Sequence, residues 1–275
     1  MEYQMLQRMT INAILKYIED NIESVRVDIN KLVRYSGYSR RYLQLLFKKH
    51  MGKTLGEYIQ LRRVTRAAVL LRLTKLSINS VSERLLYDSQ QTFTREFKKH
   101  TGYTPLQYRK MAYGFFQKIT DYREIDEVIY KPKLCYINAC NFTARGFSYK
   151  ENFPFFHSSS SARWNFIDSL LENNESVTIS HKINPCNDDN AHINMLVWNG
   201  DLDMNTHYTF TGGIFAYFYF KGGKEDYRRH TYNIYTISLP FYNLYNLNIY
   251  DLERITKLND GYYLFEHYIP LNHQK

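Results

Sequence analysis

The sequence has 275 residues, enough for about two domains, with 44% hydrophobic and 23% charged residues, a globular rather than a disordered composition. Its three cysteines, Cys135, Cys140 and Cys186, are too few and too scattered for a disulfide framework or a four-cysteine zinc site, which points to a reduced, cytoplasmic setting. No apolar run approaches the roughly 20 residues of a spanning helix, so no membrane association is expected, and Met1-Glu2-Tyr3-Gln4 lacks the pattern of a signal peptide. The formal charge of +9 is unevenly spread: residues 1–115 carry 21 Lys and Arg against 9 Asp and Glu, residues 116–275 carry 15 against 18. A basic part joined to a near-neutral part suggests a nucleic-acid-binding module with a second domain attached.

The basic part reads as helices. Asn12 to Ile22 places Ile14, Leu15, Ile18 and Ile22 on one side of a helical period. A second helix is predicted from about Asn30 to Tyr35, and Ser36-Gly37-Tyr38-Ser39 breaks it. Gly37 can take the positive φ of a tight turn and Ser39 can cap the helix that follows. That third helix, about Arg40 to His50, buries Leu43, Leu46 and Phe47, and Gly52 ends it. A long helix over about Leu55 to Leu73 offers Ile59, Val64, Ala67, Ala68 and Leu71 for burial and carries Arg62, Arg63, Arg66 and Arg72 on its opposite side.

The pattern then recurs. Phe47-Lys48-Lys49-His50-Met51-Gly52-Lys53-Thr54 is echoed 50 residues later by Phe97-Lys98-Lys99-His100-Thr101-Gly102-Tyr103-Thr104. Upstream, Asp28-Ile29-Asn30 matches Ser77-Ile78-Asn79 at an offset of 49, so the second turn holds one extra residue. Two helix–turn–helix units joined by one helix give a single chain the two DNA-reading helices that a dimer otherwise supplies. On the first, Arg41, Gln44, Leu45 and Lys48 form an i, i+3, i+4, i+7 stripe opposite the buried residues. On the second, Gln91, Thr94, Arg95 and Lys98 do the same. Arg suits guanine, Gln suits adenine, and Lys and Thr suit phosphates. Arg40, Lys49, Gln90 and Lys99 flank the stripes and complete the candidate DNA-contacting set. The alternative is that both stripes are ordinary solvated faces.

The strand signals begin after Pro132. Candidate strands are Leu134 to Ala139, Ala144 to Tyr149, Ile193 to Trp198, Ile214 to Phe220, Tyr232 to Leu239 and Tyr262 to Pro270. Candidate helices are Ala162 to Glu172 and one starting near Lys224. The expected architecture is an all-α tandem helix–turn–helix domain over 8–110, a linker over 111–131, and an α+β domain over 132–275, a bent antiparallel sheet with helices. No catalytic, cofactor or metal motif stands out. His-Glu-x-x-His, Gly-x-Ser-x-Gly and P-loop patterns are lacking, and the nine histidines show no ligand spacing.

The first part resembles the DNA-binding domain of the AraC/XylS family of bacterial transcription regulators, closest to its MarA/SoxS/Rob group. The residues that carry this are Ser36-Gly37-Tyr38-Ser39-Arg40-Arg41-Tyr42-Leu43-Gln44, Lys53-Thr54-Leu55-Gly56-Glu57-Tyr58-Ile59 and Asp88-Ser89-Gln90-Gln91-Thr92-Phe93-Thr94-Arg95-Glu96-Phe97-Lys98. In that group, the positions of Gln90, Gln91, Thr94 and Arg95 lie on the second recognition helix, and those of Arg41, Gln44 and Leu45 on the first. The group usually has Trp-His where Arg41-Tyr42 stand, Arg where Leu45 stands, and Gly-Phe where Leu86-Tyr87 stand. A leucine in a positive-φ turn would be strained by roughly 1–2 kcal/mol, so either that turn is rebuilt or the second unit is less rigid.

The second part resembles the GyrI-like effector-binding domain through Gly212-Gly213-Ile214-Phe215-Ala216, Asp251-Leu252-Glu253-Arg254 and Glu266-His267-Tyr268-Ile269-Pro270-Leu271. This resemblance implies a transcription activator that binds promoter DNA as a monomer, contacts RNA polymerase and takes a small amphipathic or cationic effector. Such domains bind their ligands in an aromatic-lined cleft with a buried glutamate. Glu266 is the matching residue, with Trp164, Tyr219 and Phe241 as candidate walls. The alternatives for this part are a protein-interaction module without a ligand and a hydrolase.

Overall fold

In the computed structural model, residues 2–111, 129–152, 161–186, 190–198, 206–258 and 261–272 are described. The chain divides into two units. The first holds the residues up to Leu71 together with Leu76–Lys110, and the second holds Arg72–Lys75 and the chain from Ile129 onward. Most of the predicted linker, residues 112–128, lies outside the described residues.

In the first unit, α1 (Glu2–Asn21) begins well before the predicted Asn12. Then come α2 (Ile29–Ser36), α3 (Arg40–Met51), α4 (Leu55–Leu73), α5 (Ile78–Arg84), α6 (Gln90–Thr101) and α7 (Pro105–Lys110). Local chemistry sets these boundaries twice over. The Asp28 carboxylate caps α2 and Ser77 caps α5, while the Ser39 and Ser89 hydroxyls accept from Tyr42 N and Thr92 N at the starts of α3 and α6. Gly52 and Gly102 end α3 and α6 at φ 70° and 83°, their N–H groups donating to Lys48 O and Lys98 O. Thr54 and Thr104 then receive Tyr58 N and Tyr108 N on their carbonyls, both at 2.9 Å.

The cores of the two repeats match as well. Phe47 meets Tyr58 edge-on at 5.4 Å, and Phe97 meets Tyr108 at 5.3 Å, with all four side chains buried. Around the first repeat pack Ile11, Ile14, Leu15, Ile18, Leu32 and Leu43. The repeats differ at the inner turn. Gly37 supplies φ 70° in the first, whereas Leu86 takes φ 59° in the second, so the turn keeps its left-handed shape with a leucine in it.

Among the described residues of the second unit, eight antiparallel strands form one sheet in the order β1-β6-β8-β7-β3-β4-β2-β5. They are β1 (Lys133–Ile137), β2 (Cys140–Asn152), β3 (Ser176–Pro185), β4 (Asn190–Trp198), β5 (Thr206–Phe210), β6 (Gly213–Gly222), β7 (Leu252–Lys257) and β8 (Tyr263–Pro270). The strands β3, β5 and β7 were not anticipated from the sequence. The sharp β5–β6 connection explains Gly212, where a Cβ would overlap the backbone of residues 137–139.

On one face of the sheet, the cross-strand pairs Glu253–His267, Ile255–Phe265, Phe218–His267 and Phe220–Phe265 stand together. Helices α8 (Ser161–Leu171) and α9 (Lys224–Asn233) cover this face. The other face carries Trp198 stacked on Phe142 at 3.8 Å, with Trp198 Nε1 donating to Ser180 Oγ at 2.9 Å.

The predicted strand Tyr232–Leu239 is helical. It is the end of α9, a π turn (Ile234–Ser238) and the short α10 (Leu239–Phe241). Ile234, Ile237 and Leu239 turn onto the sheet and are buried. Thr236 Oγ1 donates back to Tyr232 O, and Ser238 Oγ donates to Asn233 Oδ1. Burial against the sheet therefore overrides the strand preference of the β-branched and aromatic residues. Among the described residues, no helix is long and apolar enough to cross a membrane.

Candidate nucleic-acid interface and interior polar cluster

Each candidate reading helix has one buried side and one open side. On α3, Leu43, Leu46 and Phe47 are buried, and Arg40, Arg41, Gln44, Leu45, Lys48 and Lys49 are exposed. On α6, Phe93, Phe97 and Thr101 are buried. Gln90, Gln91, Arg95, Lys98 and Lys99 are exposed, and Thr94 is half-buried. Leu45 is 61% exposed. An apolar side chain within a cationic stripe is suited to a thymine methyl group. Tyr42 is withdrawn from the stripe: its hydroxyl meets Tyr3 Oη at 2.8 Å and receives Gln7 Nε2, and its ring lies edge-on to Tyr38 at 4.9 Å. The hydrogen bond with Tyr3 raises the Tyr42 phenol above its ordinary pKa. The early start of α1 thus braces α3.

The arginines of α4 depart from the expectation of a basic side. Arg62 is 3% exposed and makes a two-pronged pair with Glu19, Nε to Oε1 at 2.6 Å and Nη2 to Oε2 at 2.8 Å. Arg66 and Arg84 both pair with Glu23. These three cations tie α1, α4 and α5 together and are not available to phosphates. Exposed cations stand on both candidate reading helices, Arg40, Arg41, Lys48 and Lys49 on α3 and Arg95, Lys98 and Lys99 on α6.

In the second unit, the four predicted ligand residues are not all on one face of the sheet. Trp164 is buried under α8 on the helix-covered face. Glu266 is half-buried and registers opposite Tyr219 on the reverse face, where it accepts from Tyr217 Oη at 3.1 Å. Burial, with that contact, pushes the Tyr217 phenol up to about 12. Tyr219 and Phe241 are 61% and 60% exposed.

Glu253 on β7 is a fully buried carboxylate, 0% exposed. Arg163 Nη2 donates to its Oε2 at 2.9 Å, Tyr227 Oη donates to the same oxygen at 3.0 Å, and His267 Nε2 lies 3.2 Å from Oε1. Burial pushes the Glu253 carboxyl up, but His267 and Arg163 outweigh it and hold it well below the usual carboxylate range. Burial lowers His267 and Glu253 raises it, with a net upward shift. His230, stacked on Phe220 at 4.5 Å with neither ring nitrogen hydrogen-bonded, is pushed by burial from 6.5 to about 3. Sequence reasoning missed Glu253 because its strand was missed; on β7 it shares parity with Ile255 and is a carboxylate on an apolar face.

A helix-turn-helix domain model matches residues 32–111. The F1 operon positive regulatory protein of Yersinia pestis is 41% identical over 97% of this chain and 89% of its own length. The chain belongs to the AraC/XylS family of transcription regulators. Within the family, the multiple antibiotic resistance protein MarA of Escherichia coli is 43% identical over 36% of this chain and 78% of its own. The C-terminal domain of AraT, a response regulator from Geobacillus stearothermophilus, is 29% identical over 37% of this chain and 84% of its own, with a TM-score of 0.35.

The AraC/XylS-family chain is therefore a DNA-binding transcriptional regulator, and its relatives are regulators rather than enzymes. The F1 operon relative, described as a positive regulator, extends across both units of this regulator.

Proposed function

We propose that this regulator reads an asymmetric duplex site as a monomer, with α3 and α6 in two successive major-groove segments, and that it activates transcription through RNA polymerase. In this reading, 8–110 is the DNA-binding domain and 132–275 is a GyrI-like domain whose small-molecule ligand adjusts activity, in the cytoplasm. The repetition of α3 in α6, with the same caps and the same open stripe, carries the reading. In-trans symmetry is unnecessary when one chain holds both reading helices. The test is the stoichiometry of the complex by sedimentation with a single-site duplex. One chain per duplex supports the proposal, and two chains per duplex contradict it. A second reading, in which the C-terminal unit docks a protein, draws on the exposed Leu134, Tyr136, Tyr219 and Phe241.

A further inference from the structure

The early turns of α1 bring a hydrogen-bond donor to the edge of the first reading helix. Gln7 Nε2 donates to Tyr42 Oη, and Tyr42 Oη lies 2.8 Å from Tyr3 Oη. The amide nitrogen only donates, and each phenol has a single proton. One phenolic proton is spent between the two rings, so the other has no acceptor among the described residues. With Gln7 occupying a lone pair of Tyr42, the simplest order of donors runs from Gln7 to Tyr42 to Tyr3. The proton left over is then that of Tyr3, whose side chain is 61% exposed while Gln7 is buried. A hydroxyl that accepts one hydrogen bond donates the next more strongly, because each bond polarises its neighbour.

The donor stands at a place suited to an anion. Tyr42 is the third residue of α3, directly after the exposed Arg40 and Arg41. The same end of α3 carries the positive pole of the helix. A recognition helix presents its amino-terminal residues to the bases. A group one step around the helix from the reading stripe therefore meets the sugar-phosphate wall of the groove, where a neutral hydroxyl can fix register. The α6 helix is built differently at this point. Thr92 holds the position that matches Tyr42, and its hydroxyl accepts from Ser89 Oγ at 3.0 Å, within the helix's own cap.

We propose that Tyr3, held by Tyr42 and Gln7, is a DNA-contacting residue whose hydroxyl donates to one phosphate beside the amino end of α3. This rests on the reading that places α3 in a major groove. Three side chains from α1 and α3 then act together: Gln7 orients Tyr42, Tyr42 orients Tyr3, and Tyr3 touches the duplex.

The test uses the full chain and a single-site duplex. Tyr3→Phe keeps the ring and removes the donor. It is expected to weaken binding about tenfold, the scale of one hydrogen bond to a charged group, and to do so alike on every sequence. The salt slope is expected to stay unchanged, since a neutral phenol releases no counterion. Methylphosphonate replacement of single phosphates along the α3 segment locates the contact. At one position, the replacement is expected to cost the wild type about tenfold more than it costs Tyr3→Phe, and at the others to cost both proteins alike. Tyr42→Phe, which removes the hold on Tyr3, is expected to relieve the same position. Unchanged affinity in Tyr3→Phe overturns the contact. So does a loss of affinity with the wild-type methylphosphonate profile, which is the signature of bracing alone. Lys48→Ala reads the placement of α3 separately. If it too leaves affinity unchanged, the placement of α3 fails and the contact fails with it; if Lys48→Ala weakens binding and Tyr3→Phe does not, the contact alone fails.

Discussion

Leu86 holds a backbone conformation that glycine fills at the equivalent turn, φ 59° against 70° at Gly37. A left-handed leucine costs roughly 1–2 kcal/mol, partly offset by its half-buried side chain, so Leu86→Gly is expected to stabilise the first unit by about 1 kcal/mol in denaturant unfolding. A loss of stability would mean that the leucine contacts outweigh the strain. On α6, Arg95 is exposed within the reading stripe. Arg95→Ala is expected to remove about 1–3 kcal/mol of discrimination at one base pair, measured by competition between single-base variants of the site. His230 gives a pH dependence with a definite sign. Its folded pKa lies near 3 and its ordinary value is 6.5, so over that range the unfolded chain binds the extra proton. Stability of the second unit should therefore fall as pH drops below 6.5, with a slope approaching about 1.4 kcal/mol per pH unit. His267 acts in the opposite sense. Its pKa is raised, so its contribution is complete in mild acid and fades as pH rises through the raised value. His230→Phe, which keeps the stack on Phe220, should flatten the acid limb of a melting-temperature profile. An unchanged limb would assign it to other groups. These single residues were only partly legible in the sequence. The exposed stripes of α3 and α6 followed from periodicity, whereas Glu253 and Arg163 meet across 90 positions and no local pattern pairs them.

At the scale of elements, capping chemistry did most of the work. Asp28, Ser39, Ser77, Ser89, Gly52 and Gly102 each stand where a helix starts or stops, and α4 has its predicted bounds. The failures share one cause. Tyr232–Leu239 has strand composition but lies on the sheet as a helix, and α4 has a basic side whose charges are internal. Both outcomes depend on what the element packs against, which is set by distant chain. The Glu19–Arg62 contact leads to a contrast between two cations. Arg62→Ala leaves the half-buried Glu19 carboxylate without its two-pronged partner and is expected to cost about 3 kcal/mol of stability. Lys48→Ala should leave stability nearly unchanged, weaken all duplexes alike and lower the salt slope of binding by about one unit. Equal stability losses for the two would contradict the division between bracing and DNA-facing cations.

At the scale of the whole molecule, the formal +9 is the residue of a strongly basic first part and a slightly acidic second part. Within the first unit, Arg62, Arg66 and Arg84 are taken up in ion pairs with Glu19 and Glu23, so they stand apart from the exposed cationic stripes of α3 and α6. The repeat fixed the expected organisation of the first unit because both copies obey the same short-range rules. The second unit was legible mainly as strand content, since its sheet order joins strands far apart in the chain. The central claim is that one chain reads DNA with two equivalent helices. Selection of binding sites from randomised duplexes by the full chain measures this directly. The expected result is an asymmetric site with two informative segments about 10 base pairs apart, of which one loses its preference in Arg95→Ala and the other in Gln44→Ala. A palindromic site, or a single informative segment altered by both substitutions, would contradict it.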